Sequence, residues 1–562
     1  MLSRNKILFG TAGLLVLFFL LTYLLPLGVR PLIRPDEFRY AEIPREMLET
    51  GDWVTPRLNG VRYFEKPGLG YQLTALSFAV FGKNAFALRL PSALAVLLTA
   101  AFLHELVRRK SRDPFLPGLS TLIYLSFGLV FGVGTFAVLD SQLTAALSLC
   151  IGSFYLACES RRRSAVLGWL ISSGFWAGCA FLIKGFLAFA VPVIVLVPYL
   201  AWQREWKRLF LYAWIPLIVA TAVALPWSWL IHQAEPDFWR YFFIEEHWHR
   251  FTSHTYDRKP QPFWYFVPVL LGGVLPAGLL AIPGIFGTGR DWLKNSLTRF
   301  LLCWAVMPFL LFSASSCKLG TYILPCFPPL AILLALGIRR AMLLHNSRYR
   351  KSMNVISRCL GGGLLVIGGA GVVALPVWGL FPNLPQPYPD FSIWPYLTLL
   401  CGAGFGAFLL HAAGCYRPLR LIAVFLFGFA PVIFCGLQAV PTALLGDKAT
   451  ETGIRECLKR IPVRPDDIIL VDRSSLAAVA WILERSDLIV IGKPGELEYG
   501  FRNYPEYTSR HYQEPELSAV IEQSRPHRVV YIILRDLERH PIPAEWNTRE
   551  ITTAYEVTMI CF

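Results

Sequence analysis

FALRLPSALAVLLTAAFLHELVRRKSR, residues 86–112, sets the reading of the whole chain. Its first part, 86–107, is apolar and long enough to cross a bilayer, which takes about 20 residues of helix. Arg108, Arg109, Lys110 and Arg112 follow at once. A basic cluster just after an apolar span marks the cytoplasmic side. The composition agrees with a membrane protein: 55% of the residues are hydrophobic and 16% charged, where soluble domains average about 25% charged. A net charge of +15 would suit a nucleic-acid binder. Much of the excess, however, sits in short loops between apolar runs, so no nucleic-acid partner is expected.

Working outward, apolar runs fall at 7–29, 86–107, 114–132, 139–158, 165–183, 186–202, 209–231, 263–285, 298–315, 320–341, 355–381, 391–413 and 419–441. The chain is therefore expected to be a polytopic α-helical membrane protein with about thirteen spans. The first run lacks a small-residue cleavage site and reads as a retained helix rather than a signal peptide. Every even-numbered span exits into basic residues, including Arg161–Arg163, Arg204 with Lys207 and Arg208, Arg339 with Arg340, and Arg417 with Arg420. An odd span count then sends the C-terminal region to the far side of the membrane.

Residues 1–441 thus read as the membrane domain, with two long outer loops at 30–84 and 232–262, and 442–562 as a separate periplasmic domain. In the first loop, Tyr40, Ile43, Met47 and Leu48 share one helical face opposite Glu42, Arg45 and Glu49, which predicts a helix lying in the interface plane. The stretch Tyr71 to Phe81 is apolar but too short to cross. In the C-terminal domain, Asp467–Asp472, Asp487–Gly492 and Val529–Leu534 read as strands, with a helix at Ser474–Arg485. That alternation predicts a small α/β layer domain. It carries no Gly-rich nucleotide loop and is given no catalytic role. Of the 12 cysteines, most lie in or beside apolar runs and read as small buried hydrophobes. Cys457 and Cys561 lie in the polar domain, where an oxidising compartment would permit a disulfide.

The outer loops hold the residues that could carry chemistry. Asp36 and Arg39 are three apart and share a helical face, although acids also favour any helix start. In Tyr63-Phe64-Glu65-Lys66-Pro67, Lys66 could bind a lipid phosphate or simply snorkel. Asp140 begins an apolar segment, where an ionised group is costly and marks a functional candidate, or a partner for a nearby arginine. The second loop, EPDFWRYFFIEEHWHRF at 235–251, mixes interfacial aromatics with carboxylates, histidines and Arg250. His247 and Glu65 are nitrogen and oxygen donors of the kind that zinc takes. Lys318 and Tyr322 bracket the outer start of the tenth span, within reach of a phosphate or of ordinary headgroups.

Seven stretches in order, RPDEFRYAEIPREMLETGDW, RYFEKPGLGYQ, TFAVLDSQ, FLIKGFLAFAVP, the 235–251 segment, FWYFVPVLLGG and KLGTYILPCFPPLAILLA, resemble the undecaprenyl phosphate-4-amino-4-deoxy-L-arabinose:lipid A transferases (ArnT), membrane glycosyltransferases of GT-C architecture. The C-terminal domain resembles that family mainly in position and in patches such as GELEYG. The resemblance implies transfer of the aminosugar from undecaprenyl phosphate to lipid A among membrane lipids by a monomer, with resistance to polymyxin as the outcome. It implies Asp36 and Asp140 as the acidic catalytic positions, with Arg39 orienting Asp36. Tyr63, Lys66, Arg250, Lys318 and Tyr322 would lie near phosphate, and Glu65 and His247 would hold a structural metal, with no cofactor needed for chemistry. One departure stands out: Ser316-Cys317-Lys318-Leu319-Gly320 replaces the family's Lys-Gly-Lys-Leu-Pro. A GT-C enzyme for another polyprenyl-linked sugar is the nearest alternative. A transporter would call for internal repeats and discontinuous helices, and the sequence suggests neither.

Overall fold

The computed structural model describes residues 4–249, 261–280, 290–345, 347–381, 388, 391–414, 418–440, 450–534 and 548–562, without the side chains of 4–10, 246–249, 290, 291, 414 and 418–427. Among the described residues, nine helices are long and apolar enough to cross a membrane. The chain is therefore a multi-pass membrane protein. The runs expected at 114–132, 186–202, 263–285 and 419–441 contain shorter apolar helices: Leu116–Leu125, Leu187–Gln203, Phe263–Gly273 and Gly428–Ala439.

One of those runs departs from a continuous span. The helix Leu116–Leu125 stops, Phe127 is extended, and a second helix runs Gly128–Gly134. Backbone groups freed inside a membrane must find partners within the protein. Here Gly128 N donates to Leu275 O at 2.6 Å, and Phe127 pairs with Pro276. The expectation of unbroken helices is corrected at this point.

The chain forms two compact units that do not follow the division at residue 441. The first comprises Met1–Leu27, Arg89–Trp229 and Phe243–Ala439, and the second Gly28–Leu88, Leu230–Phe242 and Val440–Phe562. The core of the first is the helix Asp140–Glu159, buried around its whole circumference up to Cys158, as befits a helix apolar on all sides. Elsewhere in this unit, a Cβ on Gly406 would stand 2.5 Å from Gly361 O. Helices Ser347–Gly379 and Trp394–Gly414 can therefore meet backbone to backbone at that point only because both residues lack side chains.

In the second unit, the helix Asp36–Thr50 and the helix Leu69–Phe81 pack with a tight hairpin, β1 (Arg57–Leu58) and β2 (Val61–Arg62). Asn59 and Gly60 at its tip have φ of 56° and 69°, the geometry that an Asn-Gly turn favours. Leu69–Phe81 exposes Leu73, Leu76, Val80 and Phe81 and spans only 13 residues. The Asp36–Thr50 helix is not the amphipathic surface helix that its periodicity suggests. Glu37, Arg39, Glu42, Arg45 and Glu46 are buried along with its apolar residues.

The C-terminal segment folds into a six-stranded sheet. It contains β3 (Ile468–Asp472), β4 (Ile489–Ile491), β5 (His511–Tyr512), β6 (Val529–Leu534), β7 (Glu550–Ala554) and β8 (Val557–Cys561), in the order β5-β4-β3-β6-β8-β7. β5, β4, β3 and β6 are parallel, and the β7–β8 hairpin adds antiparallel to β6. The three expected strands and the helix, observed as Leu476–Leu483, are present. β5, β7 and β8 went unread. Leu470, Val529, Tyr531, Ile533 and Ile560 form part of its core.

The disulfide expectation is corrected. Cys457 and Cys561 are both free and buried. The Cys457 thiol lies against carbonyls of the β7–β8 hairpin, 3.7 Å from Val557 O and 3.9 Å from Thr552 O. Burial also pushes both thiols up from their usual range, which slows any exchange. Protein purified without reductant, denatured and alkylated is expected to carry the label at Cys457 and Cys561. A linked peptide pair in the mass spectrum would contradict this arrangement.

Candidate active site

Asp36 and Arg39 stand one turn apart at the start of the Asp36–Thr50 helix, where acids suit the helix dipole. The Arg39 guanidinium is almost fully buried and holds two carboxylates at once, Asp36 from its own helix and Glu496 from the C-terminal segment. It also lies over the Tyr40 ring, 5.3 Å from the centroid. Burial opposes its charge. Glu496, Tyr63, Tyr40 and Asp36 more than offset that cost, so the group is held above the usual arginine range. Buried charges persist only when paired in this way.

The loop after β2 completes the cluster. The Tyr63 hydroxyl donates to Glu65 at 3.0 Å and lies 3.5 Å from the Glu496 carboxylate. Burial raises the Tyr63 pKa well above its ordinary value, so it is a fixed hydrogen-bond donor and not an acid. Lys66 donates to the backbone carbonyl of Glu65 at 2.8 Å, with its ammonium 4.0 Å from the Glu65 carboxylate. Asp36, Arg39, Tyr63, Glu65 and Lys66, read separately in the sequence, are therefore one network, and the C-terminal segment contributes Glu496 to it.

The C-terminal segment, expected to carry no catalytic role, places Glu496 against Arg39. The clue was GELEYG, residues 495–500. Gly495 takes a φ of 61° at the start of the turn that presents Glu496. At Gly500 a Cβ would come 2.4 Å from a Val61 methyl, so only glycine lets this turn seat on the hairpin. Tyr499 between them packs on Tyr241 and Phe64, with centroids at 4.6 and 5.9 Å.

The other compact unit carries a second cluster. Asp140 opens its helix and accepts from Lys184 at 2.8 Å, both side chains being largely buried. The Lys184 ammonium also lies over the Tyr322 ring at 5.1 Å. Asp140 thus has an ion-pair partner, a lysine rather than an arginine. Lys184 lies within FLIKGFLAFAVP, where its sequence surroundings assign it no role. Lys318 is bound to backbone, donating to Gln261 O at 3.0 Å and to Ser315 O. Arg250 and the His247 side chain fall outside the described residues. Among the described residues, no group of three or more His, Cys, Asp and Glu is placed to hold a metal.

The chain thus combines apolar helices long enough to cross a membrane with carboxylate–cation clusters at two helix starts. Residues 9–242 match the dolichyl-phosphate-mannose-protein mannosyltransferase family, and 447–559 the C-terminal domain of arabinosyl transferase ArnT. The chain is 38% identical over 530 residues to the undecaprenyl phosphate-alpha-4-amino-4-deoxy-L-arabinose arabinosyl transferase of Edwardsiella ictaluri, covering 92% of each. It is 36% identical to a Proteus mirabilis enzyme of the same name, numbered 2, over 97% of this chain and 98% of that one. The crystal structure of ArnT from Cupriavidus metallidurans bound to undecaprenyl phosphate superposes with a TM-score of 0.77 at 24% identity, covering 98% of both chains. The chain belongs to the undecaprenyl phosphate-alpha-4-amino-4-deoxy-L-arabinose arabinosyl transferase family.

Because Asp36 and Glu496 share one guanidinium, their removal is not independent. Asp36→Asn and Glu496→Gln are each expected to lower turnover about 10-fold or more, with the double variant well short of the product. Steady-state kinetics on protein checked for an unchanged melting point measures this. Full additivity would mean that Arg39 does not couple them.

Proposed function

We propose that this enzyme moves 4-amino-4-deoxy-L-arabinose from undecaprenyl phosphate onto phosphate groups of lipid A, at the outer face of a bacterial inner membrane. The modification places an amine on an anionic lipid, which weakens binding of polymyxin and other cationic peptides. The observation that carries the reading is full-length similarity to relatives named for that donor and sugar. The basic loops after the even-numbered spans support an orientation with the first loop and the C-terminal segment in the periplasm.

The chemistry follows from the bond that breaks. The anomeric carbon leaves the oxygen of the carrier phosphate, which departs with the bonding electrons as undecaprenyl phosphate. The same carbon gains a bond to an oxygen of a lipid A phosphate. Positive charge builds on the sugar and negative charge on the leaving phosphate. Fixed cations are needed at the phosphate and fixed anions near the sugar, in a site where neither must reorganise. Lys66, held by the Glu65 carbonyl, suits the first task, as do Lys318 and Arg250 by their charge. Asp36 and Asp140 suit the second. They would also attract the ammonium group of the aminosugar, which a neutral hexose lacks. An acceptor phosphate is already anionic, so no general base is required.

No metal is assigned to the reaction. Glu65 offers an oxygen donor of the kind zinc accepts, with Tyr63 and Lys66 already bound to that residue. Any zinc held through Glu65 would serve structure.

Purified protein in liposomes with synthetic donor and lipid A is expected to add a pentosamine to the acceptor, read by mass spectrometry. A chelator is expected to leave the initial rate unchanged, and Asp140→Asn to abolish most of it. Transfer of a different polyprenyl-linked sugar, with none of the aminopentose, would overturn the substrate assignment. A rate that collapses with chelator and returns with zinc would overturn the structural role of the metal.

A further inference from the structure

Glu46 lies two turns beyond Arg39 on the same helix and takes no part in the cluster that Arg39 centres. Its side chain is buried, as are those of Glu42 one turn earlier and Arg45 beside it. One Glu46 oxygen accepts from the backbone N–H of Gly60 at 2.8 Å, at the tip of the β1–β2 hairpin. No N–H or hydroxyl donor reaches the other oxygen. What faces it is the Glu42 carboxyl group. Two carboxyl groups can hydrogen-bond to each other only when one of them holds a proton.

The surroundings decide which one. Arg45 grips Glu42 with two of its nitrogens, Nε at 2.7 Å and Nη2, and reaches Glu49 with the third. Glu42 therefore stays ionised, and the proton belongs on Glu46. The same Arg45 Nη2 donates to Ser486 Oγ in the C-terminal segment at 2.7 Å. From that segment Arg510 also faces the pair. It donates to Asn59 O and Ser486 O, each at 2.7 Å, with Asp487 close enough to draw on its charge. Asn59 closes the junction by exchanging hydrogen bonds with the backbone of Leu488 at 2.9 and 3.0 Å. Three pieces of chain, the Asp36–Thr50 helix, the hairpin and the loop before β4, thus meet around Glu46, the hairpin bonding its carboxyl group directly and the loop reaching its neighbours Arg45 and Asn59.

We propose that Glu46 is a positioning residue: carrying a proton, it seats the helix that bears Asp36 and Arg39 against the hairpin and the C-terminal segment. Burial, followed by the charge of Glu42, pushes the Glu46 pKa up to about 8, against partial relief from the Gly60 N–H and Arg45. The sign follows from linkage. A carboxyl whose folded-state pKa is raised is neutral in the folded protein at neutral pH. Above the ordinary carboxylate range the unfolded chain gives up this proton while the folded protein keeps it, so stability falls as pH rises until the folded group itself ionises beside Glu42 and the seating loosens. The seating is therefore tightest in mild acid and loosens in alkali. Because Arg39 reaches Glu496 only while helix and C-terminal segment stay docked, the loosening is transmitted to the cluster.

The test uses full-length protein in detergent, comparing wild type with Glu46→Gln, which keeps the shape of the protonated acid and cannot ionise. The wild-type thermal midpoint is expected to fall from about pH 5 up to about pH 8 and to level off above that, while that of Glu46→Gln stays level over the same range. With each protein normalised to its own maximum, the alkaline limb of the kcat profile is expected to move up by about one pH unit or more in the variant, with KM unchanged. A wild-type midpoint that is flat over that range overturns the proposal, even should the variant fail to fold. So does a variant that keeps the wild-type alkaline limb. Only the kinetic arm rests on the transferase reading. Absence of transfer at every pH, with the melting curves still diverging, would refute that reading and leave the role of Glu46 in docking standing.

Discussion

The second unit is organised around a physical constraint: charge that is buried must be compensated where it lies. The helix Asp36–Thr50 takes six ionisable side chains, from Glu37 to Glu46 and on to Glu49, into or beside the protein interior. Each has a named answer. Arg30 pairs with Glu37, Glu496 and Asp36 with Arg39, and Glu42 and Glu49 with Arg45, while Glu46 has the Gly60 N–H and, in the proposal above, a proton of its own. Several of these answers come from far along the chain, Glu496 and Ser486 among them. Removing either would leave a buried arginine with fewer partners, Arg39 with Asp36 alone and Arg45 with Glu42 and Glu49 but no Ser486 hydroxyl.

That dependence explains what the sequence could and could not disclose. Membrane character and the α/β nature of the C-terminal segment were legible because apolar length and period-two runs are local signals. So was the Asp36–Arg39 pair, three residues apart on a helix. Its long-range partner was not, because nothing local distinguishes Glu496 from a solvated acid. The same holds for Lys184, which ends one helix while Asp140 starts the one before it. The surface-helix reading of Asp36–Thr50 failed for a related reason. A strip of Glu42, Arg45 and Glu49 looks like a solvent face, yet mutual pairing lets it be buried. In the C-terminal domain, β5 is only two residues long and β7–β8 alternates weakly, so neither announces itself.

The short polar turns tell the same story from the side of the backbone. Asn59-Gly60, Gly495 and Gly500 hold conformations or approaches that larger residues would resist. Each sits where the first loop meets the C-terminal segment. Glycine there is a condition for contact, and the contact in turn brings Glu496 to Arg39. A loop rich in charge and aromatics is tied down by hydrogen bonds to distant turns, Asn59 with Leu488 and Arg39 with Glu496.

A donor that carries its own phosphate linkage frees the protein from binding a nucleotide, and no Gly-rich phosphate loop is needed. What remains is to hold charges of both signs close together without letting them cancel. Arg39 does this for the proposed site by taking one oxygen from each of two carboxylates. It steadies both, and the Tyr63 hydroxyl lies 3.5 Å from the second oxygen of Glu496. Arg45, two turns further in, also holds two acids, with two nitrogens on Glu42 and the third on Glu49. Glu42 is fully buried, so that grip serves the packing of the helix. Arg39, at the helix start, holds an acid that is still partly open to solvent, Asp36, and an acid that a substrate can reach is what the proposed site requires.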